Sequence, residues 1–190
     1  MAKAFTPEQA PSLAAALRAS GLKVLNISQQ IEQGALLLRT FSRDYPDILV
    51  GAGNVQTLEQ AHKAIEAGSQ FILSPLFDRE MIKLAKRRKV SIFPVTTEGA
   101  KCRRMNLDVI GFYPVDELGG LPAIDKIAES FKLKVIVAGG ITEQDMPTFL
   151  DNPNVLAMTG SWMFAKEDVA SNNWKAITES LKRARKWVVG

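Results

Sequence analysis

Residues 134–164, KVIVAGGITEQDMPTFLDNPNVLAMTGSWMF, contain the pattern that decides the fold. Two short apolar runs, at 135–137 and 155–157, have the character of buried strands. Glycine follows each run, as Gly139–Gly140 and as Gly160. Glycine at the end of a buried strand lets backbone N–H groups approach an anion, and a helix that begins just beyond adds the positive end of its dipole. The stretch therefore predicts two adjacent strand ends that form a phosphate or carboxylate cradle. The alternative is that these glycines only turn the chain and form no anion site.

The same alternation of strand-like and helix-like segments runs along the whole chain. Further strands are predicted at residues 2–5, 24–28, 48–51, 71–74, 90–94 and 109–113. Helix-like segments separate them, and one begins at a capping box formed by Thr57 and Gln60. Apolar strands that alternate with amphipathic helices indicate a parallel sheet covered on its outer face. Eight such units indicate an α/β fold closed into a (β/α)8 TIM barrel, with an open doubly wound sheet as the alternative.

Composition narrows the class of protein further. The chain has 190 residues, of which 46% are hydrophobic and 23% charged, and no linker or low-complexity tract divides it. One domain covering residues 1–190 is therefore expected. The net charge of +4 arises mainly from basic clusters at 83–89 and 182–186. Both lie on helix-like segments without interleaved aromatic residues, so we interpret them as solvated faces and predict no nucleic-acid binding.

The single cysteine, Cys102, cannot form an internal disulfide. The sequence also contains no apolar run of membrane-spanning length and no signal-type start. A cytoplasmic protein without a membrane role is expected.

In a barrel of this kind the functional residues lie at the carboxyl ends of the strands. The candidates at these positions are mostly amides, hydroxyls and glycines: Lys3, Asn26, Ser28, Gln30, Gly51, Ser74, Pro94, Gly111, Tyr113, Ala138, Gly139, Gly140, Gly160 and Ser161. Paired carboxylates, a Cys/His arrangement and a metal-ligand cluster are all missing from this set. The sequence therefore predicts neither a metal nor a cofactor.

Several segments together resemble the 2-keto-3-deoxy-6-phosphogluconate (KDPG) and ketohydroxyglutarate aldolases. They are Gly51-Ala52-Gly53-Asn54-Val55, the run from Ala67 to Pro75, Phe112-Tyr113-Pro114, Gly139-Gly140-Ile141 and Gly160-Ser161-Trp162. Their order and spacing make the chain similar to this family from Gly21 to Phe164. The resemblance implies a class I aldolase barrel, usually a homotrimer, that releases pyruvate from a 2-keto acid through a lysine Schiff base. The family's N-terminal helix before the first strand has no counterpart in this sequence.

Carried over by position, the resemblance implies that a sugar phosphate binds at Gly139, Gly140, Gly160 and Ser161. The catalytic positions differ from the family. Gly111 stands where the family has its Schiff-base lysine, and Asn26 stands where it has its acid/base glutamate. Gln30 replaces a carboxylate-binding arginine, and Ala138 replaces a threonine.

These replacements remove the chemistry rather than weaken it. A Schiff base needs a primary amine, which glycine does not supply, and asparagine cannot take up and release a proton near neutral pH. Glutamine also lacks the charged, bidentate grip of arginine on a carboxylate. We therefore predict an aldolase-like protein that lacks aldolase activity. It would bind a small phosphorylated or anionic metabolite, or serve as a regulatory or structural partner.

Two alternatives stay open at this point. One is an active 2-keto-acid aldolase whose amine has moved to Lys3 or, less favourably, to Lys101. The other is a different barrel enzyme that uses Glu98, Asp116 or Glu117 as its acid or base. For the homotrimer implied by the resemblance, Phe77, Met81 and Trp162 are candidate interface residues, although each could equally belong to the core.

Overall fold

The computed structural model describes residues 1–188. Within this range the strands are β1 (Val24–Ser28), β2 (Leu49–Gly53), β3 (Phe71–Ser74), β4 (Ser91–Pro94), β5 (Val109–Phe112), β6 (Lys134–Ala138) and β7 (Val155–Thr159). A short 3-10 helix, Pro7–Gln9, precedes the α-helices α1 (Ala10–Ser20), α2 (Gly34–Asp44), α3 (Leu58–Glu66), α4 (Arg79–Arg87), α5 (Gly99–Arg104), α6 (Gly120–Phe131), α7 (Met146–Leu150), α8 (Lys166–Ala170) and α9 (Trp174–Arg185). The predicted alternation of strands and helices is confirmed.

All strand pairs are parallel. Strands β1 to β4 form one sheet in sequence order, and β5 to β7 form a second. A bridge between Val95 and Gly111 joins the two sheets on one side. On the other side, Ala2 forms a bridge with Ile27, and the α-amino group of Met1 donates a hydrogen bond to the carbonyl of Gly160. The parallel strands with their outer helices form the expected (β/α)8 barrel.

The strand predicted before β1, at residues 2–5, is much shorter in the structure. The sequence indicated residues 2–5, whereas only Ala2 makes a strand bridge. The chain turns away early because Thr6 and Pro7 begin the 3-10 helix, and the ring of Phe5 leaves the barrel to pack against Phe164 and Trp174, with centroids 5.1 and 6.1 Å apart. The barrel is consequently closed by one residue pair where a full strand was expected.

The main core lies between the barrel and its helices. Side chains that point outward from the strands, such as Leu25 and Ile27 of β1, are buried there under the helices. Local signals position those helices: the Thr57 side chain accepts a hydrogen bond from the Gln60 N–H at the start of α3, as the capping box predicted. Met81 is also buried in this core, so it is excluded as a surface residue for subunit contacts.

None of the helices within residues 1–188 is long and apolar enough to cross a membrane.

Candidate functional site

A cavity of about 290 Å³ lies at the carboxyl ends of the strands, which we call the mouth of the barrel. The strand-end positions from the sequence that line it are Lys3, Asn26, Ser74, Gly111, Tyr113, Ala138, Gly139, Gly140, Gly160 and Ser161. Its size is near the lower limit for small-molecule sites. The mouth therefore suits a small metabolite.

Glycine is required after β6 by backbone conformation and by space, and after β7 by space alone. Gly139 and Gly140 have φ angles of +80° and +65°, in the left-handed region that side chains disfavour. A Cβ at Gly139 would also lie 2.6 Å from the Tyr113 ring, and one at Gly160 would lie 2.9 Å from the ring of Trp162. Aromatic side chains thus pack directly on the backbone of both turns.

The helices that follow these turns do not begin where the sequence analysis expected. Helix α7 starts at Met146 and α8 at Lys166, each six residues beyond its glycine, and each helix has only five residues. The chain between them makes turns, one of which is held by Asp145 accepting hydrogen bonds from Thr142. An anion bound at these turns would therefore lack the help of a helix dipole.

A carboxylate lies beside one of the turns. A Cβ built on Gly140 would be 2.7 Å from Oδ2 of Asp116, so this carboxylate rests against the Gly140 backbone. Asp116 belongs to the loop after β5, which is tied to β6 by a hydrogen bond from Val115 N–H to the Ala138 carbonyl. The side of the mouth at Gly140 therefore has a negative neighbour, whereas the side at Gly160 and Ser161 does not.

Asn26 points into the barrel from the middle of β1. Its Nδ2 donates to Oγ1 of Thr159 over 3.3 Å, and its Oδ1 is buried without a hydrogen-bond partner. The side chain lies over Gly53, where a Cβ would come within 2.4 Å of Oδ1. A buried acceptor without a donor is costly, so this oxygen is available to a donor group on a bound molecule.

Gly111 has no side chain, and its backbone packs against Val95. A Cβ added at Gly111 would be 2.9 Å from Cγ2 of Val95 and 3.5 Å from the Phe93 carbonyl oxygen. Valine has few rotamers with which to move aside. The valine methyl group thus fills the space in which a longer side chain at position 111 would begin.

Two amines from residues 1–3 reach the mouth. Lys3 is exposed and lines the cavity, and the α-amino group of Met1 lies beside Gly160. Burial, and then the positive charge of Lys3, lower the pKa of that α-amino group to about 5. Lys101, the other candidate amine, lies outside this cavity and is paired with Glu98 at 2.5 Å.

Four predicted pocket residues, Ser28, Gln30, Gly51 and Pro94, do not line the mouth cavity. Ser28 and Gln30 instead hold the neighbouring loop, since the Ser28 Oγ accepts from Asn54 Nδ2 and Gln30 Nε2 donates to the Asn54 carbonyl. Gly51 is covered by the Phe71 ring, and Pro94 points away from the barrel axis because its neighbours Phe93 and Val95 point inward.

Ser74 is at the mouth but its hydroxyl already has partners. Its Oγ donates to the carbonyl of Leu76 and accepts from the Leu76 N–H, at 3.0 and 3.1 Å. We therefore assign it to shaping the loop after β3.

The sequence analysis missed two important wall residues, Val95 and Thr159. Strand alternation could have identified Thr159, because it lies two residues beyond Ala157, another inward position of β7. Val95 follows the end of β4 and reaches the mouth through its bridge to Gly111, which no local pattern indicates. The three candidate carboxylates, Glu98, Asp116 and Glu117, all lie outside the lining.

Within residues 1–188 no group of three or more His, Cys, Asp or Glu side chains could hold a metal ion.

Comparison with known proteins identifies the family. The model of the KDPG and KHG aldolase family matches residues 4–180. The chain belongs to this family. It is 34% identical over 167 residues to the 2-dehydro-3-deoxy-phosphogluconate aldolase of Zymomonas mobilis, covering 85% of this chain and 80% of that protein. It is 29% identical to the corresponding enzyme of Treponema pallidum over 175 residues, 90% of this chain and 83% of the relative.

Solved aldolase structures have the same fold as this family member. The KDPG aldolase of Legionella pneumophila, with pyruvate captured as a covalent carbinolamine intermediate, superimposes with a TM-score of 0.89 at 29% identity, covering 96% of this chain and 90% of that one. The KDPG aldolase of Zymomonas mobilis with 3-phosphoglycerate gives a TM-score of 0.85 at 30% identity, covering 98% and 89%. The barrel is thus shared with enzymes of this family over nearly its whole length.

Proposed function

We propose that this aldolase-family protein binds a small phosphorylated or anionic metabolite in the mouth and does not cleave 2-keto acids. The observation that carries the proposal is at Gly111, the position of the family's Schiff-base lysine. That position has no amine, and the methyl group of Val95 stands 2.9 Å from where a Cβ would be. A side chain longer than glycine at this position would therefore require Val95 to move, which supports the proposal that no amine works from here.

The second catalytic position supports the same conclusion. Asn26 replaces the acid/base glutamate, and an amide does not exchange protons near neutral pH. Loss of either member of a catalytic set removes orders of magnitude in rate, and the effects do not add in a simple way. A protein that lacks both groups retains the shape of the pocket without its mechanism.

Binding of an anion is supported by the glycine turns and by the relatives. The turns at Gly139–Gly140 and Gly160 line a cavity large enough for a small metabolite, and backbone N–H groups in such turns can bind an anion. A structure of the Zymomonas mobilis relative contains 3-phosphoglycerate. Because the Asp116 carboxylate lies against Gly140, we place the anion nearer to Gly160 and Ser161.

Catalysis is tested with substrate and by trapping. Purified protein is incubated with KDPG or 4-hydroxy-2-oxoglutarate, and pyruvate release is followed with lactate dehydrogenase; we expect no rate above buffer. In parallel, pyruvate and borohydride are added and the mass of the intact protein is measured by mass spectrometry. We expect no reduced adduct. Turnover with an adduct mapped to Lys3 or to the α-amino group of Met1 would replace this proposal with an active aldolase that uses a relocated amine.

Binding is tested by calorimetric titration with inorganic phosphate and 3-phosphoglycerate. Ser161→Asp adds a negative charge on the preferred side of the mouth and should weaken binding about tenfold. The matched control is Ser171→Asp, which adds the same charge at an exposed serine outside the cavity and should leave affinity unchanged. Equal effects of the two variants, or no saturable binding by the wild-type protein, would contradict the assignment of the anion site.

The family resemblance also leads us to propose a cytoplasmic homotrimer. Phe77 and Trp162 are half-buried, so they keep surface available for subunit contacts. Sedimentation equilibrium checks the oligomeric state, and a monomer at micromolar concentration would contradict the trimer.

A further inference from the structure

Asn26 carries a buried polar atom that the folded chain leaves without a partner. Of the buried side-chain nitrogen and oxygen atoms within residues 1–188, the Oδ1 of Asn26 alone makes no hydrogen bond. Folded proteins satisfy nearly all such atoms, so an exception requires an explanation. Because Asn26 lines the mouth cavity, a molecule bound there can supply the missing donor.

The Asn26 side chain leans towards the mouth. In the sheet Asn26 is paired with Gly51 of β2, yet its Oδ1 lies beside Gly53, two residues nearer the carboxyl end of that strand. Its Nδ2 donates to Thr159, which is the last residue of β7 and directly precedes Gly160. The amide oxygen is therefore presented close to the proposed anion site at Gly160.

The Met1 side chain occupies the same corner as this oxygen. A Cβ built on Gly53 would lie 2.4 Å from Asn26 Oδ1 and 2.9 Å from Met1 Sδ. Methionine is flexible, and its thioether cannot donate a hydrogen bond. The thioether therefore covers the oxygen without satisfying it, and a ligand group that does donate can take its place.

A hydroxyl group and a carbonyl group differ in how they meet an amide oxygen. An alcohol donates its O–H to Oδ1, whereas a ketone oxygen only accepts and would face a second acceptor. One net hydrogen bond of this kind strengthens binding about tenfold. The corner beside Asn26 consequently favours an alcohol over a ketone.

We infer that the ligand of the mouth is a small hydroxyalkyl phosphate whose hydroxyl donates to Asn26 Oδ1 while its phosphate lies at Gly160 and Ser161. A chain of about three carbons suits a cavity of about 290 Å³, because Asn26 is bonded to the residue next to Gly160. This inference rests on the proposed function, since it assigns the chemical class of the metabolite bound in the mouth.

The test uses the full chain and three phosphate esters that differ at one carbon: 2-hydroxypropyl, 2-fluoropropyl and 2-oxopropyl phosphate. Fluorine replaces the hydroxyl without donating a hydrogen bond. In calorimetric titrations we expect the better enantiomer of the hydroxy ester to bind about tenfold more tightly than the fluoro ester, and the oxo ester to bind more weakly than the hydroxy ester.

Equal affinities for the hydroxy and fluoro esters would overturn the inference. A preference for the oxo ester would also overturn it, because the amide would then present its NH2 group to the ligand. In either case saturable binding of inorganic phosphate would leave the proposed anion site standing. If neither phosphate nor any ester binds, the proposed function fails together with the inference.

Variants test whether Asn26 makes the selection. Asn26→Leu has a similar volume but no acceptor, so its affinities for the hydroxy and fluoro esters should be equal. Asn26→Asp keeps an acceptor; its charge should weaken binding of every ester but preserve the preference for the hydroxy ester. Gln56→Leu exchanges an amide for leucine at an exposed residue outside the cavity and should keep the wild-type ratio. An unchanged ratio in Asn26→Leu would overturn the inference.

A further measurement locates the contact in the wild-type protein. In an NMR titration, the hydroxy ester should shift the side-chain NH2 signals of Asn26 and leave those of Gln56 in place. Saturable binding of the hydroxy ester without a shift at Asn26 would place its hydroxyl elsewhere and overturn the inference.

Discussion

Different kinds of residue line the two ends of the barrel. At the mouth, glycines, Asn26 and Thr159 surround a cavity of about 290 Å³, and the backbone itself is the main polar surface. Towards the amino ends of the strands, the floor of the barrel, a space of about 830 Å³ is lined by apolar side chains of the strands and of helices α1, α7 and α9, and Val24 and Leu49 are exposed there. Gly111 and Asn26, the residues predicted to stand at the family's catalytic positions, both line the mouth. The comparison teaches that one barrel can have a small, mainly polar cavity at one end and a larger, mainly apolar space towards the other.

The largest expected effect tests whether the floor is open in solution. Leu25→Ala removes a side chain that is 2% exposed beneath the helices and should cost about 3 kcal/mol in the free energy of unfolding. Val24→Ala, one residue earlier but facing the floor, should cost less than about 0.5 kcal/mol. Urea denaturation measures both values. A cost above about 1 kcal/mol for Val24→Ala would mean that the floor is covered in solution.

The next prediction concerns the packing of the Phe71 ring on Gly51. A Cβ at Gly51 would lie 2.3 Å from the Phe71 ring, so Gly51→Ala should destabilise the protein by about 2 kcal/mol through overpacking. Phe71→Leu removes the ring atoms in question, and the double variant should therefore be more stable than the sum of the single effects predicts. A double-mutant cycle with additive effects would show that this contact does not limit the space at position 51.

A smaller effect is expected at the turn that leads into β7 on the floor side. Asn154 and Asn152 donate to Asp125, each over 2.9 Å, and these hydrogen bonds lower the pKa of the Asp125 carboxyl. A lowered folded-state pKa stabilises the protein above the ordinary aspartate pKa of about 3.9, and this stabilisation is lost as the pH falls through the folded value.

Asp125→Ala should therefore cost about 1 kcal/mol at pH 7, and the cost should decrease as the pH falls below the ordinary aspartate pKa and through the folded value. The exposed Asp151→Ala is the control, and thermal unfolding across this pH range is the measurement. A cost of Asp125→Ala that does not change with pH would contradict the assigned role of these hydrogen bonds.

The smallest effect sharpens the description of the mouth. Asp116→Asn removes the negative charge beside Gly140 and should strengthen binding of inorganic phosphate by about two- to fivefold at low salt, since the carboxylate is exposed and screened. Glu117→Gln, at the next residue, should change phosphate affinity less. Titration at two salt concentrations measures both, and a weaker affinity of Asp116→Asn would mean that the carboxylate helps to hold the ligand.

The spacing of apolar residues and the positions of turn and cap residues were sufficient to predict most of the fold. The limits of β1 and β3 and the capping box of α3 were correct because each depends on a local pattern of apolar residues and on a nearby cap. The first strand was overestimated because Phe5 packs outside the barrel on Phe164 and Trp174, which are distant in sequence. The helix starts after β6 and β7 were placed too early for a similar reason, since turns held by side chains intervene.

The candidate site likewise has features that the sequence predicted and features that only the structure shows. The sequence by itself determined the family and the barrel, and it led to the prediction that Gly111 and Asn26 stand where the family has its lysine and glutamate, because these follow from the order of residues. Only the tertiary structure decided that Val95 occupies the space at Gly111, that Asp116 rests on Gly140 and that the floor is open. These facts depend on which atoms meet across the barrel, and strand pairing between distant segments sets those distances.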